Sequence, residues 1–195
     1  MKDLNFLLAG VGGQGTLLAS SVVAQVGVAA GLDVKKAEVH GMAQRGGSVN
    51  SHVRWGAKLY SPLIGQGEVD YLVVLERLES LRYLDMLRPG GAVLIGEMRI
   101  PPLTVSSGDD VYPDEDVIRE QVGLKTDRLI LIPSLTLAEQ AGTARAHNVV
   151  VLGALSSLLD EVEADVWRQV IARRVPQRYV DVNMAAFEAG RQAAG

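Results

Sequence analysis

An apolar run, Leu4 to Ala9, ends in Gly10-Val11-Gly12-Gly13-Gln14-Gly15, and a helix-like stretch follows from Gly15 to Ala30. No other feature constrains the fold as tightly. It reads as a buried strand, a glycine turn and a helix that opens at the turn. Gly10 and Gly12 permit a tight turn and close backbone approach by a bound group. The helix start offers unpaired N–H groups and a partial positive charge, which together suit an anion. A turn that needs glycine only for packing would look the same.

The rest of the chain keeps the rhythm. The helix mixes Leu17, Leu18, Ser21, Val22, Gln25 and Val28, and Gly31 supplies its stop. Val34 to Val39 reads as a second strand, which completes a βαβ unit. Val49 to Trp55 alternates with period two and predicts a strand with two different faces. Asp70 to Leu75 is another buried strand. Arg77 to Leu87 reads as a helix stopped by Arg88-Pro89-Gly90-Gly91, and Ala92 to Gly96 as a strand. Residues 101–127 break the pattern with Pro101-Pro102 and Ser106-Ser107-Gly108. A helix start at Pro113-Asp114-Glu115-Asp116, a strand at Arg128 to Ile132, and helices at Leu135–Gln140, Asn148–Leu159, Asp165–Arg173 and Asn183–Ala193 complete the reading. This predicts an α/β three-layer, Rossmann-like sandwich. Its sheet is parallel or mixed, because the strand at Val49 follows a short connection. The expected organisation is one domain over residues 1–195, with C-terminal helices from about 148.

Composition closes off other classes. With no cysteine, the chain has no disulfides, thiolate nucleophile, zinc–thiolate site or ordinary iron–sulfur ligation. His40, His52 and His147 lack metal-ligand spacing. Net charge is −4 with no basic run, so nothing offers a nucleic-acid footprint. No apolar stretch spans a bilayer, and Met1-Lys2-Asp3 has no signal-peptide layout, which makes the cytoplasm the expected location. No residues form a convincing general acid–base pair. Asn148 reads as a helix N-cap beside His147. Asp109-Asp110 and Asp114-Glu115-Asp116 read as solvated loop charges, and Trp55 and Tyr60 as core or interface residues.

A second cluster, Glu38-Val39-His40-Gly41-Met42-Ala43-Gln44-Arg45-Gly46-Gly47-Ser48, sets one guanidinium beside two residues that tolerate positive φ. Such a turn can form an anion-binding concavity, with Arg45 adding forked donors. A Gly-Gly loop with Arg45 paired to Glu38 would fit equally. A nicotinamide site needs an acidic residue at the end of the second strand. Glu38 sits near there, but His40-Gly41 follows at once.

The two glycine clusters, with Ser51-His52-Val53-Arg54, Tyr60-Ser61-Pro62-Leu63-Ile64, Asn148 to Gly153 and Arg174-Val175-Pro176, carry a resemblance over nearly the whole chain. The sequence resembles the gamma domain of the 2-oxoacid:ferredoxin oxidoreductases. Within that family it looks most like the small (beta) subunit of the indolepyruvate branch, through His40-Gly41-Met42-Ala43-Gln44. The resemblance implies a complex that converts a 2-oxoacid and coenzyme A to acyl-CoA and CO₂, with ferredoxin as electron acceptor. Thiamine diphosphate, magnesium and the iron–sulfur clusters would sit in a large partner subunit. This chain would bind no cofactor alone and would be silent alone. It implies no catalytic residue here. The ligand-contacting candidates are Gly10, Gly12, Gly13, Gln14, Gly15, Gln44, Arg45, Gly46 and Gly47. The competing readings are a free-standing NAD(P)-dependent oxidoreductase and a structural partner without a ligand site.

Overall fold

The computed structural model describes residues 3–40 and 47–195. Six strands form one sheet in the order β2-β3-β1-β4-β5-β6. β1 is Leu4–Val11, β2 Asp33–His40, β3 Ser48–Gly56, β4 Val69–Glu76, β5 Leu87–Met98 and β6 Leu129–Ile132. β4, β5 and β6 continue from β1 in parallel. β3 runs antiparallel to both β1 and β2. The sheet is therefore mixed. β1 and β2 are parallel as a βαβ unit requires, but β3 lies between them.

The uniform apolarity of Leu4 to Ala9 follows from the central place of β1, which has a core on each side. Phe6 and Leu8 enter one cluster with Val53, Trp55, Val73 and Leu94. Leu7 and Ala9 enter the other with Leu72, Val74, Val93 and Ile95. The first face is covered by α1 (Thr16–Ala29), α6 (His147–Ser157), α7 (Ala164–Arg174) and α8 (Val180–Ala194), with α5 (Ser134–Ala141) beside them. The second carries α2 (Arg77–Arg82) and α4 (Glu115–Gly123). A four-residue helix, α3 (Leu103–Ser106), interrupts the long connection. No helix among the described residues is long and apolar enough to cross a membrane.

Two packing features fix the helical layer. Trp55 and Trp167 stand 6.2 Å apart between sheet and helices, and Trp55 donates Nε1–H to the Val23 carbonyl at 3.1 Å. α6 and α8 then cross at two glycines. A Cβ on Gly190 would overlap the Val150 carbonyl, and one on Gly153 the Phe187 carbonyl. Only glycine lets these backbones come so close.

Several elements depart from expectation. The helix from Arg77 stops at Arg82, and a 3₁₀ turn at Leu84–Met86 leads straight into β5. Arg88-Pro89-Gly90-Gly91 lies inside β5, at an irregularity where the pairing jumps from Val69↔Leu87 to Tyr71↔Ala92. A bulge accommodates proline, which has no N–H for the ladder. The Arg88 guanidinium binds Asp70 at 2.5 Å across that irregularity. Tyr60 is 84% exposed, so it is not a core residue of this chain. Asn50 and His52 on the polar side of the alternating strand are buried too: Asn50 donates to the Tyr83 hydroxyl, and His52 Nδ1 accepts from Ile64 N–H.

Candidate functional site: a cationic cleft at the glycine turn

The glycine turn leaves the end of β1, between the start of β3 and the end of β4. Its shape is set from within. Gln14 N–H donates to the Val11 carbonyl at 3.1 Å. The buried Gln14 side chain folds back, accepting from Val11 N–H at 2.7 Å and donating to the Leu75 carbonyl at 3.2 Å. One amide thus ties the turn to two strands. The left-handed conformations fall on Gly13 (φ 106°) and Gly15 (φ 82°). Gly10 serves close packing instead: a Cβ there would lie 2.8 Å from both Gln14 Oε1 and Thr16 Oγ1.

Gly12 N–H donates to the Gly47 carbonyl at 3.0 Å. The two glycine clusters, separated in sequence, therefore meet at this bond. Gln44, Arg45 and Gly46 lie outside the described residues, as does the suggested Arg45–Glu38 pair. Immediately after Gly47, Ser48 is held by the buried Glu79 carboxylate and the Tyr83 hydroxyl, and Arg82 braces that carboxylate at 3.1 Å. The loop's exit is thus anchored to α2.

The opposite wall comes from the α6 corner. Asn148 is not a cap, since the N-cap position falls at Ala146, where no side chain caps the helix. Its Nδ2 donates instead to the Gly15 carbonyl at 3.2 Å, across 133 residues of sequence. His147 beside it is buried and hydrogen-bonded to the Gln14 backbone, while its Nδ1 has no partner. Burial lowers the His147 pKa and outweighs that hydrogen bond, which acts in the other direction.

Between these walls lies a cleft of about 620 Å³. Gly12, Gly13, Gln14 and Gly15 line one side, Met98, Ile100 and Leu135 another, and Arg145, His147 and Asn148 the third. Among the described residues, Arg145 and His147 are its ionisable side chains and no carboxylate lines it. Arg145 is exposed and makes no ion pair among the described residues. α1 opens at Gly15 without a side-chain cap, so its first N–H groups and dipole face the same space. In a chain of net charge −4, this lining suits an anion with an apolar extension. A smaller cleft near the ends of β5 and β6 differs. It holds Arg77, Glu97 and Glu115, and Arg77 is neutralised by Glu115 at 2.9 Å.

Nothing in the sequence around Arg145 marks it as a site residue. A side chain that reaches a turn more than a hundred residues away has no local signature. The dinucleotide reading meets a geometric obstacle. The strand beside β1 is β3, so Glu38 on β2 lies two strand spacings from β1, roughly 9–10 Å.

Residues 5–193 match a family model described as pyruvate ferredoxin/flavodoxin oxidoreductase. The indolepyruvate oxidoreductase subunit IorB of Thermococcus kodakarensis is 38% identical over 199 aligned residues, covering 100% of this chain and 97% of that protein. The IorB subunit of Pyrococcus horikoshii is also 38% identical, over 196 residues, with the same coverage of both chains. The gamma subunit of a keto/oxoacid ferredoxin oxidoreductase from Geobacter sulfurreducens superposes with a TM-score of 0.73 at 22% identity, covering 98% of each chain. The 2-oxoglutarate:ferredoxin oxidoreductase of Magnetococcus marinus, solved with 2-oxoglutarate, coenzyme A and succinyl-CoA bound, gives 0.74 at 24% identity. It covers 100% of this chain and 31% of its own. At those identities the structural likeness speaks to the fold.

Proposed function

The chain belongs to the pyruvate ferredoxin/flavodoxin oxidoreductase family, and from that premise we propose that it is the small subunit of a cytoplasmic indolepyruvate- or aryl-pyruvate:ferredoxin oxidoreductase. The full-length likeness to two IorB subunits supports the branch. The complex would convert a 2-oxoacid and coenzyme A to acyl-CoA and CO₂, passing two electrons singly to ferredoxin. Thiamine diphosphate supplies the carbanion chemistry when bound. The residues here do not fit the redox groups: the sequence has no cysteine for a cluster. Among the described residues, no three acidic or imidazole side chains gather to hold a metal. Those groups are assigned to a large partner subunit.

This chain's own contribution is to bind and orient. The observation that carries the reading is the meeting of the glycine clusters, Gly12 N–H on the Gly47 carbonyl, beside a cleft that no carboxylate lines among the described residues. There Gly10, Gly13, Gln14 and Gly15 shape the α1 N-terminus and Arg145 supplies fixed positive charge; Gln44, Arg45 and Gly46 are the ligand contacts proposed from the sequence. The anion is a phosphate of coenzyme A, and the apolar wall of Met98, Ile100 and Leu135 shields the rest of that substrate from water.

The test is copurification with the partner, followed by kinetics. The isolated chain is expected to be colourless and without turnover; stoichiometric iron or activity in it alone would refute the division of labour. Arg45→Ala in the assembled complex should weaken coenzyme A roughly ten- to a hundredfold, a charge-assisted bond being worth about 1.5–3 kcal/mol. Arg45→Lys should fall between, because it keeps the charge and loses the fork. Unchanged assembly and kinetics in Arg45→Ala would leave the Arg-Gly-Gly turn as packing only.

A further inference from the structure

The sheet has two edges of different kinds. β6 is four residues long, a short edge of the sort that resists pairing with another chain. β2 spans eight residues, and its pairing with β3 runs without a bulge from Asp33↔Gly56 to His40↔Val49. No strand pairs with its outer side among the described residues. Alternate residues of β2 therefore turn their N–H and C=O groups away from β3. Lysines on an edge usually repel a second strand, and β2 carries Lys35 and Lys36. Here each is answered within the strand: Lys35 binds Asp33 at 2.8 Å, and Lys36 binds Glu38 at 2.7 Å. The charges of these two pairs cancel, and the strand holds no proline. A long, regular, neutral edge is the form that accepts a partner strand.

We propose that the occupant is a second copy of this chain, joined β2 to β2 in antiparallel fashion about a twofold axis at Ala37, so that two six-stranded sheets become one. Side chains opposed across an antiparallel pair point to the same face. The axis therefore falls on a residue and not between two. Centred on Lys35 or Lys36, the pairing sets a lysine against its own copy. Centred on Glu38, it sets glutamate against glutamate. Like charges directly opposite are destabilising. Centred on Ala37, it sets methyl against methyl, and each Lys36 faces the Glu38 of the other copy. The Lys35 stem then lies against Val39, which is 44% exposed. Of these central positions, Ala37 alone opposes no like charges. Lys36 Nζ donates to Ser21 Oγ at 2.9 Å, so the charged pairs lie on the α1 side of the joined sheet. Leu17 and Val28, exposed on the same face of α1 as Ser21, border the seam there. The end of β2 is also the start of the second cluster, Glu38 to Ser48. The second copy's strand would hold that end, as Gly12 and α2 hold the exit.

The experiment uses the full-length chain, whose lack of cysteine makes a single introduced thiol a clean reporter. Mild oxidation of Ala37→Cys should link two copies. Val39→Cys should link far more slowly, because the two copies of that position lie beyond the roughly 7 Å that a disulfide spans. Sedimentation over a concentration series should show the unsubstituted chain reaching twice the mass of one copy. Lys36→Glu and Glu38→Lys should each weaken the pair roughly tenfold or more, because two attractive cross-strand pairs become repulsive. Mixed in equal amounts, the two variants should pair with each other, since every charge across the seam again meets its opposite. Damage within one strand would give no such rescue. A single-copy mass at every concentration, or a mixture that pairs no better than either variant alone, would overturn the proposal. Equal linking at residues 37 and 39 would overturn the register. In the complex with the large subunit, Ala37→Cys should still link two copies of this chain. Protection of β2 from hydrogen exchange that arises only when the large subunit is added would give the edge to that subunit and sink the pairing.

Discussion

Glycine is essential for opposite reasons at the turn around Gly13 and at the crossing of α6 and α8. At the crossing, Gly153 and Gly190 are pressed against backbone carbonyls of the facing helix. The constraint there is volume, and the neighbours cannot give. At the turn, a Cβ on Gly13 would meet nothing within 4 Å. The constraint is conformation, since φ is 106°. Gly15 combines both, with φ 82° and the Asn148 amide in the space of a Cβ. Glycine at the crossing closes space, and at the turn it leaves space open for something else to enter.

Substitution by alanine can break this distinction. Gly190→Ala should have the largest effect, costing about 4–5 kcal/mol or more because buried backbone has to separate. Failure of the soluble chain to fold, or a collapse of the denaturation midpoint, is the expected result; a loss below about 1 kcal/mol would show that the helices slide apart readily. Gly15→Ala should cost about 2–3 kcal/mol, summing roughly 1–2 for a left-handed alanine and about 1 for the displaced Asn148 hydrogen bond. Gly13→Ala should cost only about 1–2 kcal/mol, the conformational part alone. Equal losses at Gly13 and Gly15 would mean that Asn148 contributes nothing to holding α6 on the turn.

The smallest effect concerns protons. Burial lowers the pKa of His147 at the turn and of His52 on the opposite face of the sheet. Both are neutral in the fold, while the unfolded chain takes up protons below about pH 6.5. The unfolded state therefore binds more protons as pH falls. Stability present above about 6.5 is lost progressively toward the depressed folded values. His147→Asn and His52→Asn should each flatten the loss of stability between about pH 6.5 and 5 in denaturant titrations. An unchanged slope in either variant would mean that its imidazole protonates freely in the folded chain.

Local pattern made much of this fold legible. The run Leu4 to Ala9, the glycine turn and the helix after it were readable because strand, turn and helix each impose their own period on neighbouring residues. The alternation at Val49 to Trp55 revealed a two-faced strand, but not that it slots between β1 and β2. Pairing partners are chosen by the whole sheet. Arg77 to Leu87 read as one helix because its apolar residues suit either state, and the pairing of Leu87 with Val69 decided against it. For the candidate site, the glycine motif was visible and the facing wall was not. Asn148 looks like a cap in sequence, and only the packing of α6 against α1 turns it toward Gly15. Among four nearby glycines, Gly10, Gly12, Gly13 and Gly15, the sequence could not say which would turn left-handed.

The tryptophan pair has an optical consequence. Trp55 and Trp167 are the chain's two tryptophans, both are 0% exposed, and neither lines the cleft at the glycine turn. Their emission should be blue-shifted in the native chain and should move sharply to the red on unfolding, when both indoles reach water together. The same burial makes that signal insensitive to a molecule entering beside Gly13. Intrinsic tryptophan fluorescence of this chain is thus a gauge of whether the helical layer is seated on the sheet. Occupancy of the cleft has to be read by heat, by competition, or by a probe placed at the rim.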